Sequence, residues 1–247
     1  MRFQQLLREG GNIFKDAQGA TQTRSISRDE IPATLNWLER ITKLPVRDNT
    51  IGSTGKKPTS GDIDVAVDAE LNSKDDLVTK LSAWVTKQGD DPRDYVRKSG
   101  ISVHLKTPIK GDPANGFVQT DFMFYRDPTF AKWMGSYDPN TKFKNADRII
   151  LMNSIAKAQG LKLTPDAGLT TRDTGKFLTR DPDEIARIFL GHGATSDDLR
   201  TVERIMYALR GDPDKQAKIA DAKDNFAARG LDLDSADKAR QEIDDAR

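Results

Sequence analysis

The sequence predicts an α+β protein, and three observations carry that prediction. Residues 62–68 and 100–106 alternate side chains with the period of two that strands require. Around them lie capped segments whose apolar residues recur three and four apart, the period of a helix. From Asp127-Pro128 onward the pattern becomes helical. The expected architecture is a small sheet flanked by helices, followed by a mainly helical domain.

Composition narrows the chemistry. The chain has 247 residues, two histidines and no cysteine. That length buries a core without covalent staples and suits two small domains. Disulfides and thiolate metal sites are excluded, so any metal is expected to be a hard cation on oxygen ligands, Mg²⁺ or Mn²⁺. No apolar run approaches the ~20 residues of a membrane span, and the N-terminal stretch lacks the apolar core of a secretion signal. A soluble cytoplasmic protein with no membrane partner is expected. Residues 211–247 hold 7 Lys/Arg and 10 Asp/Glu, net −3, which leaves the rest at +4. A mildly basic remainder permits a nucleic-acid partner without demanding one.

Arg2–Arg8 reads as a short helix closed by Gly10-Gly11. Ser27 with Glu30 forms the S-x-x-E pattern of a capping box, opening a helix with Ile31, Leu35, Leu38 and Ile41 on one face. Pro45 marks its exit, and a short strand is expected to lead into Gly52-Ser53. After the 62–68 strand, Ser73 caps a helix bearing Leu77, Val78, Leu81, Trp84 and Val85. Two strands, 100–106 and 117–124, flank a turn rich in Gly, Asn and Pro and read as a hairpin. Helices follow over Asn145–Gln159, from Asp181-Pro182, and from a Ser196 cap, with a small hairpin at Gly168–Arg180 turning at Asp173-Thr174-Gly175. The Ala-rich, charged stretch from Asp212, anchored only by Ile219, Phe226, Leu231 and Ile243, reads as a solvent-exposed helical tail. The implied division is 1–127, 128–210 and 211–247.

The chemistry concentrates in Ile51–Asp68, IGSTGKKPTSGDIDVAVD. Asp62 and Asp64 stand two apart on a strand and so project from one face, opposite Ile63 and Val65. Asp is disfavoured in strands and seldom buried unless paired. Two like charges about 4 Å apart repel by about 4 kcal/mol at an effective dielectric of about 20. The pair requires a cation, a shared proton or full solvation. Asp121, flanked by Phe122, Met123 and Phe124, is a third carboxylate without structural purpose, on another strand of the same inferred sheet. Clustered carboxylates are what two-metal phosphoryl or nucleotidyl transfer needs. Upstream, Gly52 lets backbone N–H groups approach phosphates, Ser53 adds a hydroxyl, and Lys56 and Lys57 can neutralise a triphosphate as point charges. His104 alternates with Val103 and Leu105 and reads as a packing or surface residue, His192 as loop punctuation, and Phe122, Phe124 and Tyr125 as core. Lys142, Lys144 and Arg148 form a basic group, either a nucleotide contact or a solvated helix entrance.

Gly52-Ser53, Asp62-Ile63-Asp64 followed by Val65, and Asp121 within Thr120-Asp121-Phe122 together resemble the DNA polymerase beta-like nucleotidyltransferase superfamily. Its signature is an hG[GS] turn, an [DE]h[DE]h strand shortly downstream, and a third h[DE]h carboxylate on a following strand. Gly61 before the strand is usual there, and Thr120 departs from it, being polar where an apolar residue is commoner. The resemblance spans residues 46–125. The whole chain is also similar to uncharacterised nucleotidyltransferases of tailed phages, which would place it in the host cytoplasm.

The resemblance implies a small mixed nucleotidyltransferase sheet with a downstream helical domain that contacts base or acceptor. Asp62 and Asp64 would hold the metal that binds the nucleoside triphosphate and share the second metal. Asp121 would ligate the catalytic metal and help deprotonate the acceptor hydroxyl, while Gly52 and Ser53 would bind the β- and γ-phosphates. The cofactors implied are two Mg²⁺ (or Mn²⁺) ions. The substrate is a nucleoside triphosphate, ATP foremost, whose NMP passes to a hydroxyl with release of pyrophosphate. An RNA or tRNA 3′ end is the leading acceptor. AMP or UMP transfer to a protein or small-molecule hydroxyl is the alternative within the same chemistry. An inactive nucleotidyltransferase fold serving as a binding or assembly module is the alternative outside it.

Overall fold

The 62–68 segment forms a strand whose alternate residues Ile63, Val65 and Val67 are buried on one face. The computed structural model describes residues 12–136 and 138–236; the expected Arg2–Arg8 helix, its Gly10-Gly11 end and Ile243 lie outside them. The fold is α+β. Two compact units divide it, Met1–Lys132 and Trp133–Arg247. Among the described residues no helix is long and apolar enough to cross a membrane.

In the first unit, β1 (Ile26–Ser27) pairs antiparallel with β2 (Thr59–Ser60). The main sheet contains β3 (Asp62–Asp68), β4 (Val96–Ser99), β5 (Ser102–Pro108) and β6 (Phe117–Tyr125), in spatial order β3-β6-β5-β4. β3 runs parallel to β6, and the remaining pairs are antiparallel, so the sheet is mixed. The expected hairpin is β5–β6. The edge strand β4 was not expected; it turns into β5 through Gly100-Ile101.

Helices α1 (Ile31–Thr42) and α2 (Lys74–Lys87) cover one face of this sheet. Leu35, Trp37, Leu38, Leu77, Leu81 and Val85 pack there against Ile63, Val65, Val67, Val103, Leu105, Phe122 and Phe124. Thr120 shares that face and is satisfied by the Thr107 hydroxyl at 2.7 Å, which is how a polar residue fits beside the core. Gly111, at φ +78°, lies so close to α1 that a Cβ there would collide with the Trp37 ring. Ser73 caps α2 as expected, accepting from the amides of Asp75 and Asp76.

The start of α1 differs from the capping-box expectation. Glu30 does accept the Ser27 amide at 3.0 Å, but the Ser27 hydroxyl donates to the same carboxylate instead of capping the helix. The Arg24 guanidinium and these donors hold the Glu30 carboxyl down at about 2. The strand expected before Gly52 is reduced to one bridge, Thr50 to Val65, after a turn of 3₁₀ helix at Arg47–Asn49. A four-residue helix α3 (Pro92–Tyr95) precedes β4.

The division between units falls within α4 (Pro128–Met134). The second unit is built on α5 (Asn145–Ala158), whose Ile150, Leu151, Met152 and Ile155 are all buried. The expected hairpin is part of a three-stranded meander, β7 (Leu161–Thr164), β8 (Gly168–Thr171) and β9 (Phe177–Thr179). After α6 (Pro182–Leu190), the single helix expected from Ser196 is split. Ser196–Leu199 is a 3₁₀ turn, and Thr201 accepts the Arg204 amide to start α7 (Val202–Ala208) anew.

The tail is not a solvent-exposed appendage over α8 (Lys215–Ala228). Ile219, Ala222 and Phe226 are fully buried, and the Ser154 hydroxyl of α5 bonds both the Lys218 carbonyl and the Ala222 amide. Two of its cations are paired with acids: Lys218 meets Asp212 at 2.6 Å, and Arg229 meets the buried Asp147. We predict that Phe226→Ala costs about 3–5 kcal/mol in urea unfolding of the intact chain, as for a buried aromatic. A loss below about 0.5 kcal/mol, the surface value, would contradict this packing.

Candidate metal centre

The face of the main sheet turned away from α1 and α2 carries the acidic residues. Strand alternation puts Asp62 and Asp64 on it, and the parallel register sets Asp64 opposite Asp121 and Asp62 opposite Gln119. The antiparallel register of β5 then sets His104 opposite Asp121. One oxygen from each of Asp62, Asp64 and Asp121 lies within 4.8 Å of the others, so the three form a cluster that could hold a metal ion. Oxygens sharing one Mg²⁺ at about 2.0–2.1 Å can be at most about 4.2 Å apart, a span of the same order as this cluster.

The electrostatics match that reading. Burial, then the charges of Asp62 and Asp121, push the Asp64 carboxyl up to about 8. Asp62 is raised as well, by burial first and then by Asp121. Among the described residues no lysine or arginine forms an ion pair with these three carboxylates. Crowded acids without a cation are what a divalent ion would relieve, and an all-carboxylate donor set suits a hard one.

Asp121 differs from its neighbours in being held at both oxygens. His104 Nδ1 lies 2.8 Å from Oδ1, and Gln119 Nε2 donates to Oδ2 at 3.1 Å. His104, read from sequence as packing or surface, is therefore a buried partner of Asp121, only 4% exposed. Alternation had placed it away from Val103 and Leu105; the missing information was the hairpin register that sets it opposite Asp121. Gln119, polar in an apolar strand, was the second available signal.

The turn before β3 lies against the acids. The Ile51 amide donates to the Asp64 carbonyl, and the Thr54 hydroxyl accepts the Asp64 amide at 3.3 Å. Gly52, at φ +65°, is so close that a Cβ would meet Asp64 Oδ2 at 3.1 Å. Ser53 is half-buried, and its carbonyl accepts from the Lys56 amide and the Ser60 hydroxyl. Lys56 Nζ donates to the Gly52 carbonyl at 3.1 Å, within the turn and not to an acid. The Lys57 carbonyl, like that of Lys56, accepts from the Arg28 guanidinium. The second unit's basic group is not a uniform exposed face, because Arg148 is buried against the Trp133 carbonyl, Ser136 and Asn145. No protein-family model matches this chain, and no curated protein matches it.

A raised carboxyl makes the metal-free protein less stable as pH rises. Between the ordinary value of 3.8 and about 8, folded Asp64 keeps a proton that the unfolded chain has released. In EDTA, the unfolding midpoint should fall from pH 5 to pH 8, and Asp64→Asn should flatten that fall. A wild-type midpoint that rises across this window would contradict the arrangement.

Proposed function

We propose that the chain is a divalent-metal-dependent nucleotidyltransferase that moves NMP from a nucleoside triphosphate to an acceptor hydroxyl. The observation that carries this reading is the convergence of Asp62, Asp64 and Asp121 on one sheet face, beside the Gly52-Ser53 turn. The motif resemblance to polymerase beta-like enzymes supports it from the sequence side.

Asp62 and Asp64, adjacent on β3, would hold Mg²⁺ or Mn²⁺ together with Asp121 from β6. Such ions supply charge neutralisation at the phosphates and alignment of an in-line displacement. Gly52 keeps the turn free of side-chain bulk where it faces Asp64, so backbone can approach a triphosphate there. Ser53 offers a hydroxyl to the same phosphates, and Lys56 lies on the turn that would receive them. By the motif resemblance, Asp121 would also help deprotonate the attacking hydroxyl. An RNA 3′ end is the acceptor we favour, with a protein or small-molecule hydroxyl as the competing outcome of the test.

The protein should release pyrophosphate from at least one of the four nucleoside triphosphates in Mg²⁺, with label from [α-³²P]NTP appearing in added RNA. Asp62→Asn, Asp64→Asn and Asp121→Asn should each lower the rate by more than about 10²-fold, the scale on which one preorganised electrostatic group acts. Undiminished release from all three variants would overturn the assignment.

A further inference from the structure

We infer that His104 and Gln119 are positioning residues for Asp121, and that Gln119 makes metal binding depend on the N-terminal segment around Ile13. The inference rests on the metal-centre reading above and deepens it. Its basis is an asymmetry among the three acids. No side chain donates to Asp62 or Asp64 among the described residues, whereas both oxygens of Asp121 are taken. Asp121, His104 and Gln119 are only 5%, 4% and 2% exposed. Water cannot readily replace these donors.

Each donor is in turn oriented from further away. A carboxylate only accepts, so the His104 hydrogen bond to Asp121 requires the proton on Nδ1. Nε2 pairs with the Ser99 hydroxyl, 2.8 Å away on β4, which fixes the ring from its other side. On the other side, the Gln119 amide could point either way. Its oxygen accepts the Ile13 amide at 3.0 Å, which leaves its NH₂ to face Asp121. With the amide reversed, an oxygen would oppose the Asp121 carboxylate and repel it. The Ile13 N–H therefore sets the sign of the contact that Gln119 makes.

The segment carrying Ile13 is itself fastened to the sheet. Phe14 is buried, Lys106 of β5 donates to Gln22, and the Arg24 amide donates to the Phe117 carbonyl of β6. Asp121 is thus a pre-set ligand, tied to β4 through His104 and to the N-terminal segment through Gln119. Among the described residues no side-chain donor fixes Asp62 or Asp64 in this way. Outer partners of this kind govern how well a ligand is presented to its metal.

The test is a calorimetric titration of the intact chain with Mn²⁺ alone, without nucleotide, alongside metal-free melting curves. His104→Leu and Gln119→Met each remove a donor at near-constant volume and should weaken Mn²⁺ binding by about 10- to 100-fold. His104→Asn, whose amide nitrogen replaces Nδ1, should recover most of the affinity, which a packing role for the ring would not produce. Ile13→Pro deletes the orienting N–H. Adding it to Gln119→Met should weaken binding no further, since both changes break one linkage. Wild-type Mn²⁺ affinity in folded His104→Leu and Gln119→Met would overturn the inference. If His104→Leu does not fold, Gln119→Met decides the matter. Asp121→Asn separates the two levels: if it too binds Mn²⁺ normally, the metal-centre reading itself fails.

Discussion

Mutual repulsion among Asp62, Asp64 and Asp121 is the constraint around which the first unit is arranged. Three ionised carboxylates gathered on one sheet face oppose folding, since burial and their mutual charge raise the Asp64 and Asp62 carboxyls. The opposite face offsets that cost. There the interleaved residues Ile63, Val65, Val67, Phe122 and Phe124 are buried under α1 and α2, each fully buried aliphatic or aromatic side chain contributing about 1.5–3 kcal/mol. Because alternation is strict, the same strands that bury the core must present the acids. The acidic face cannot relax without unpacking the apolar one.

Much of this was legible in the residues alone. The i, i+2 spacing put Asp62 and Asp64 on one face, and the apolar run around Asp121 marked a second strand of the same sheet. What periodicity could not supply was adjacency. β6 sits between β3 and β5, pairing parallel with the first and antiparallel with the second, and only that order sets Asp121 between Asp64 and His104. His104 therefore had a readable face but no readable neighbour. The edge strands β4 and β7, four residues each, are too short for alternation to rise above chance. At Ser196 the signal misled, since Thr201, with its own hydroxyl on the Arg204 amide, is the cap that starts α7.

The second unit illustrates why charge content is a poor guide to exposure. The stretch from Asp212 looked like a solvated tail because its anchors are sparse, yet helical spacing brings Ile219, Ala222 and Phe226 onto one buried stripe. Lys218 carries its ammonium to the Phe189 carbonyl and Asp212, so even a lysine is absorbed. Arg148 makes the same point from within the basic group. It joins the end of α4 to the start of α5 through the Trp133 carbonyl, the Ser136 hydroxyl and the Asn145 side chain. Burial pulls its guanidinium down to about 10. A run of basic residues near a helix start can thus be scaffold in one member and surface in the next.

The parallel register of β3 on β6 also governs which changes in chain length the protein can absorb. Asp64 faces Asp121 only while the strands stay aligned, and a shift of one position would turn Asp121 toward α1 and α2 and bring Thr120 or Phe122 to the acidic side. Inserting or deleting a single residue within Phe117–Tyr125 would therefore exchange the two faces of the strand at once. The link just before it is constrained in another way. Lys110–Asn115 is a chain of short turns pinned to its surroundings, with Gly111 against Trp37, the Lys110 amide on the Thr34 hydroxyl and the Asn115 carbonyl accepting from Arg24, so a change of length there would disturb the packing on α1 before it reached the strand register.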